Sequence, residues 1–188
     1  MQRFLSERLK TFLDAECNPP KTCVELFLDA ATSCIGIQEE GDDNKGEMVK
    51  TFQATVGGVC GEAWCLSFVQ AITAYVEDRM GVVSNLPLTE HVLTLWDKTP
   101  KRARIAEKDI RPGDLILWRY GTTQKGHIGI ILGAHYKVVT TVEGNTGPTG
   151  IVEREGDGVY KKIRARTGTT MMHVQGFLRP GFSSLVGE

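Results

Sequence analysis

Apolar residues recur at helical spacing through the first half of the chain and at strand spacing through the second. Phe4, Leu5, Leu9, Phe12 and Leu13 share one helical face before Asn18-Pro19-Pro20 breaks the pattern. A second helix is expected from about Thr22, a residue suited to capping, with Val24, Phe27, Leu28, Ala31 and Ile35 buried. The polar, glycine-punctuated stretch 38–46 reads as a loop, and Met48, Val49, Phe52 and Val56 mark a short third helix. Past Gly57-Gly58 a longer helix carries Cys65 and runs to about Met80 through Phe68, Val69, Ile72 and Val76. Val92, Leu93 and Trp96 mark one more short helix.

The character changes at Ile110-Arg111-Pro112-Gly113-Asp114, a turn signal that leads into a strand at Leu115 to Trp118. Further strands are expected at 127–133, 137–143, 159–165 and 174–179, separated by glycine-rich turns. Helices first and consecutive strands after them imply an α+β fold, with the helices packed on an antiparallel sheet. With 188 residues, 41% of them hydrophobic and 24% charged, the chain supports one well-filled core, and no linker divides it.

Charge narrows the function classes. The 22 basic and 23 acidic residues leave a net charge of −1, which argues against wholesale nucleic-acid binding. Lys161, Lys162, Arg164 and Arg166 form a basic run that reads as an exposed strand edge, where positive charge discourages edge pairing. No apolar stretch is long enough to span a bilayer, so no stable membrane insertion is expected. The first ten residues alternate charged and apolar positions and lack the apolar core of a secretory signal, so synthesis in a cytoplasm is expected. The five cysteines (17, 23, 34, 60 and 65) include no zinc-type pair and fit a reducing compartment.

Four residues carry candidate chemistry: Cys65, His127, Glu143 and Asn145. A free thiol has a pKa near about 8.5 and needs help to act as a nucleophile at neutral pH. The expected helix N-terminus at Cys65 supplies partial positive charge and unpaired backbone N–H groups, which also suit an oxyanion. On a strand of period two His127 and Gly129 share a face, so the glycine leaves room beside the imidazole. On the next strand Thr141, Glu143 and Asn145 share a face, which lets Glu143 and Asn145 point at one target. A carboxylate or amide on one ring nitrogen would fix the tautomer and leave the other nitrogen for the thiol. His91, His135 and His173 are expected to be exposed, Cys60 to pack in the core, and Trp64 and Trp118 to wall the cleft or fill the core.

The segments Gly-Glu-Ala-Trp-Cys-Leu-Ser-Phe-Val (61–69), Arg-Pro-Gly-Asp-Leu-Ile-Leu-Trp (111–118), Gly-His-Ile-Gly-Ile-Ile (126–131) and Val-Glu-Gly-Asn-Thr (142–146) resemble the CHAP family. These are cysteine, histidine-dependent amidohydrolases/peptidases, related to NlpC-type and, distantly, to papain-like enzymes. Gly-Ile-Gln-Glu-x-Gly (36–41), Arg-Glu-Gly-Asp-Gly-Val-Tyr (154–160) and Gly-Phe-Leu-Arg-Pro (176–180) further resemble its phage and prophage members. The resemblance covers about residues 24–180. It implies a papain-like catalytic domain over 23–182, an accessory N-terminal helix over 1–22 and a tail over 183–188.

What the resemblance implies is hydrolysis of an amide bond of bacterial peptidoglycan, by an N-acetylmuramoyl-L-alanine amidase or an endopeptidase. Cys65 would be the nucleophile, His127 the base and then the acid, and Glu143 with Asn145 the orienting groups. The setting implied is a phage or prophage lysis enzyme, monomeric, acting in the periplasm or wall after release, with a holin as one route out. A secreted antibacterial effector amidase with an immunity partner is one rival reading. An inactive wall-binding or virion structural protein on the same fold is another. Some family members carry a calcium loop of aspartates before the cysteine. Here 54–62 lacks those ligands, and the acidic run Glu39 to Asn44 lacks the spacing of a calcium loop, so no metal or other cofactor is expected.

Overall fold

Side chains start the first two helices where the sequence places them. In the computed structural model, which describes residues 3–17, 22–148 and 156–184, α1 spans Glu7–Glu16 and α2 spans Cys23–Ser33. Ser6 Oγ accepts the Leu9 N–H at 3.2 Å, and Thr22 Oγ1 accepts the Glu25 N–H at 3.1 Å while donating back to the Glu25 carboxylate. Then come α3 (Glu47–Thr55), α4 (Cys65–Met80) and α5 (Val92–Lys98). The expected break at Asn18-Pro19-Pro20 lies outside the described residues, as do Arg154 and Glu155 and the tail positions 185–188.

The strands are β1 (Val82–Ser84), β2 (Arg104–Ile105), β3 (Leu115–Tyr120), β4 (Gly126–His135), β5 (Val138–Thr146), β6 (Gly158–Ala165), β7 (Met172–Leu178) and β8 (Phe182–Ser184). Six form one antiparallel sheet in the order β2-β7-β3-β4-β5-β6, and β1 pairs with β8 in a two-stranded ribbon. The architecture is α+β with an antiparallel sheet.

Helix α4 is the axis of the core. All twelve residues from Cys65 to Val76 are buried, because α2 and α3 pack on it together with β4 and β5. Leu115, Leu117, Ile128, Ile130 and Val142 join the helices in one apolar cluster, and Ile116, Trp118, Ile131, Val139, Met172 and Phe177 form a second, smaller one. Removing a fully buried ring such as Phe68 from such a core costs about 3–5 kcal/mol.

Three expectations change here. The buried face of α2 is Leu26, Phe27, Ala30 and Ala31, while Val24 and Ile35 are 43% and 39% exposed. Val24 sits at the rim, where a Cβ on Gly113 would lie 2.8 Å from its Cγ1, so the Pro-Gly-Asp turn rests on it. The N-terminal segment is no appendage: Leu9 and Leu13 are wholly buried, and the Arg3 guanidinium reaches Gln70, Glu77 and the Leu86 carbonyl. The tail expected from 183 begins as part of β8, with Ser183 and Ser184 paired to Val83 and Val82.

Candidate active site

Cys65 is the first residue of α4, with Trp64 in the N-cap position and no side chain capping that end. The uncapped first turn therefore directs its partial positive charge and free N–H groups at the thiol. Trp64 is held on three sides. Its ring stacks on Phe52 with centroids 5.6 Å apart, its Nε1–H donates to Glu39 Oε1 at 2.7 Å, and its carbonyl accepts the Phe68 N–H at 2.9 Å. Gly144 lets β5 approach this turn, since a Cβ there would stand 2.8 Å from both Trp64 Cζ3 and Phe68 Cβ. The glycine of Glu-Gly-Asn is thus a packing requirement. Cys65 itself is 8% exposed.

His127 stands second in β4, paired in register with Trp118 of β3, and its ring stacks on the indole with centroids 5.7 Å apart and 24° between planes. Its Nε2 lies 2.9 Å from Glu143 Oε2. The Cys65 thiol lies close enough to the same imidazole to hold its pKa up, and with Nε2 on Glu143 the nitrogen left for sulfur is Nδ1. Gly129 makes the carboxylate's path possible, because a Cβ there would sit 2.9 Å from Glu143 Cγ and 3.2 Å from Thr141 Cβ. The space expected beside the imidazole is therefore filled by Glu143.

Glu143 is fully buried and fully engaged. Thr141 Oγ1 donates to Oε1 at 2.6 Å, Arg164 Nε donates to Oε1 at 3.0 Å, and Arg164 Nη2 donates to Oε2 at 2.6 Å. Burial would raise the carboxyl pKa, but the hydrogen bonds and charges of His127 and Arg164 outweigh it and hold the group at about 2. Burial would likewise lower the imidazole pKa, but hydrogen bonds to Cys65 and Glu143 and their charges hold it up at about 9. The arrangement favours a protonated imidazole on an ionised carboxylate, set beside the sulfur that a cysteine mechanism would use.

Asn145 does not join them. The β5–β6 register shifts between Glu143 and Thr146, and Asn145 takes a left-handed backbone with φ 54°, so the alternation that would align it with Glu143 is lost. Its Nδ2 instead donates to Asn44 Oδ1 at 2.8 Å, Gly156 O at 3.2 Å and Glu39 Oε1 at 3.3 Å. Glu39 also accepts the Asn44 N–H at 2.6 Å, so Glu39, Asn44 and Asn145 tie the 39–44 loop to the cap of α4.

Four other readings are corrected or resolved. In the basic run, Lys162 and Arg164 point inward, 5% and 7% exposed, while Lys161, Ile163 and Ala165 face out. Burial of Glu143 calls for a counter-charge, and the inward positions of β6 supply it. Cys60 is exposed rather than in the core. Trp64 and Trp118 are wholly buried, so they support the site from beneath. His91, His135 and His173 are exposed, as expected. Sequence reasoning missed Arg164, Thr141 and Glu39. The signal for Arg164 was parity, since alternate residues of a strand beside a buried carboxylate share its side.

The chain has no significant match among protein-family models, curated proteins or solved structures. The site must speak for itself. Among the described residues no group of three or more histidines, cysteines or carboxylates is placed to hold a metal, and no helix is long and apolar enough to cross a membrane. Two of the acidic loop's carboxylates have other partners, Glu39 on Trp64 and Asp42 on Lys45 at 2.6 Å.

Proposed function

We propose that this chain is a cysteine-dependent peptidoglycan hydrolase on a papain-like, CHAP-type fold. It would act as a phage or prophage lysis enzyme in the periplasm or cell wall, with a holin or another release route giving access. The observation that carries the chemistry is His127 held between the Cys65 thiol and the buried Glu143 carboxylate. The motifs around these residues carry the choice of substrate.

In this reading the Cys65 thiolate attacks the carbonyl carbon of an amide, and the first-turn N–H groups of α4 receive the negative oxygen. Collapse of the tetrahedral intermediate breaks the C–N bond as protonated His127 gives its proton to the leaving amine. Water, deprotonated by His127, then hydrolyses the thioester and releases a carboxylic acid and the free thiol. Glu143 keeps the ring in the tautomer and plane that these transfers need. The bond is the N-acetylmuramoyl–L-alanine amide or a peptide bond of the stem or cross-bridge.

The test is digestion of purified peptidoglycan, read by mass spectrometry of soluble fragments and by newly released amino groups. Wild-type protein should release both, and Cys65→Ala neither. Intact peptidoglycan after prolonged incubation with protein whose Cys65 still alkylates rapidly would remove the substrate assignment.

A further inference from the structure

The Glu143 carboxylate presents a problem that its role as an orienting group does not solve. An uncompensated buried carboxylate 2.9 Å from an imidazole would hold a proton on that ring too firmly and repel a thiolate on the ring's other side. Arg164 lies against the same carboxylate, with Nε 3.0 Å from Oε1 and Nη2 2.6 Å from Oε2, on a side chain 8% exposed. Two contacts from the planar guanidinium fix the plane of the carboxylate as well as its charge. Arg164 Nη2 also approaches Thr146 Oγ1 at 3.3 Å.

The charged and titratable groups around the relay can be named element by element. Helix α4 supplies Cys65, β4 His127, β5 Glu143 and β6 Arg164, while β3 contributes only the Trp118 ring. The neighbouring buried cation of β6, Lys162, sends its Nζ to the Gly147 carbonyl at 2.6 Å.

We propose that Arg164 is a positioning residue that sets the working pH of the thiol–imidazole pair by neutralising the carboxylate behind it. The inference rests on the catalytic reading of Cys65 and His127, though not on the identity of the substrate. With Arg164 present the carboxylate aligns the ring while the Arg–Glu pair carries no net charge. Proton transfer from thiol to imidazole then creates a thiolate facing a neutral background. Without the guanidinium the same transfer would create a second negative charge beside Glu143.

The experiment is the pH dependence of Cys65 alkylation by iodoacetamide, with the modified residue identified by peptide mapping and melting temperature followed in parallel. Arg164→Met should move the whole profile to higher pH by about one unit. Arg164→Lys, which keeps charge but loses the fork, should stay near the wild-type position even if its rate falls. Because Arg164→Met leaves Glu143 buried without its counter-ion, it can fail to fold. The same substitution is therefore also read in a Glu143→Gln background, where no carboxylate is stranded. There, with no carboxylate left to neutralise, removal of the arginine should leave the profile within about 0.3 unit of that of Glu143→Gln alone. An Arg164→Met profile that stays in place, with only rate or melting temperature reduced, overturns the proposal, as does an Arg164→Lys profile displaced as far as that of Arg164→Met. So does an upward shift of about one unit on removal of the arginine in the Glu143→Gln background, where the guanidinium would be acting without the carboxylate. Wild-type protein that alkylates as described but leaves peptidoglycan intact would remove the substrate assignment and leave this inference standing.

Discussion

Replacing Asn145 by alanine separates a loop anchor from an orienting amide. The substitution removes the 2.8 Å contact to Asn44 Oδ1 and the longer contacts to Gly156 O and Glu39 Oε1. One good hydrogen bond and two weak ones are together worth about 1–2 kcal/mol net. Alanine must also adopt φ 54°, which adds about 1 kcal/mol for a residue with a Cβ and no local hydrogen bond. The sum is about 2–3 kcal/mol, which in a chain of this size lowers the melting temperature by roughly 5–10 °C. Asn145→Gly keeps the backbone conformation and loses only the amide, so it should recover about 1 kcal/mol of that loss. Because His127 takes its orienting bond from Glu143, the iodoacetamide reactivity of Cys65 in Asn145→Ala should stay within about tenfold of wild type at a temperature where both are folded. Loss of a true relay member would cost about 100-fold or more. Thermal scanning and timed alkylation measure both. Asn145→Ala with an unchanged melting temperature and a dead thiol would refute the reasoning.

Three further outcomes follow from the same geometry. Glu143 is held at about 2 against an ordinary 4.5, so its stabilisation is complete above pH 4.5 and is lost as pH falls towards 2. His127 is held at about 9 against 6.5, so its contribution is complete below pH 6.5 and is lost as pH rises through 9. Urea midpoints should therefore plateau between about pH 4.5 and 6.5 and fall on both sides, and a midpoint flat from pH 6.5 to 9.5 would contradict the His127 assignment. Gly129→Ala should destabilise the fold by about 1–3 kcal/mol and cost far more in activity, because the new methyl displaces Glu143 from His127. Full hydrolysis by that variant would mean that the carboxylate reaches the ring by another path. EDTA should leave activity and melting temperature unchanged, because Glu39 and Asp42 already serve Trp64 and Lys45; an EDTA-sensitive loss restored by calcium would count against this loop assignment.

The elements were legible because their signals are local. Thr22 caps α2, the apolar period carries α4 from Cys65 to Met80, and the glycine-bounded apolar runs mark the five longer strands. Short pieces escaped: β1, β2 and β8 are two or three residues long, too brief for any period to show. In the site, Cys65, His127 and Glu143 were readable from residue type and strand parity. Asn145 was misplaced because the parity argument assumes an unbroken strand, and the register shift that breaks it leaves only a Gly-Asn pair as its trace. Arg164 was hidden by the usual preference of charge for the surface, which holds until a buried partner of opposite sign reverses it. Cys60 erred the other way, a small apolar residue set in the exposed 59–63 turn.

The twelve consecutive buried residues of α4 bear on how such a protein can diversify. A helix wedged on every side cannot tilt or slide to suit a new substrate, and a change along its length is felt as lost stability before it alters selectivity. Innovation is therefore pushed outward, to segments that face water at the reactive end. Two of them meet there: a Cβ on Gly58 would lie 3.3 Å from Glu90 Oε2 and 3.4 Å from Glu62 Oε2, which brings the 57–63 and 85–91 loops together at a glycine seven residues ahead of Cys65 in the chain. For the hydrolase proposed above, exchanging those loops with the helix left untouched is the economical route to a new cleavage preference.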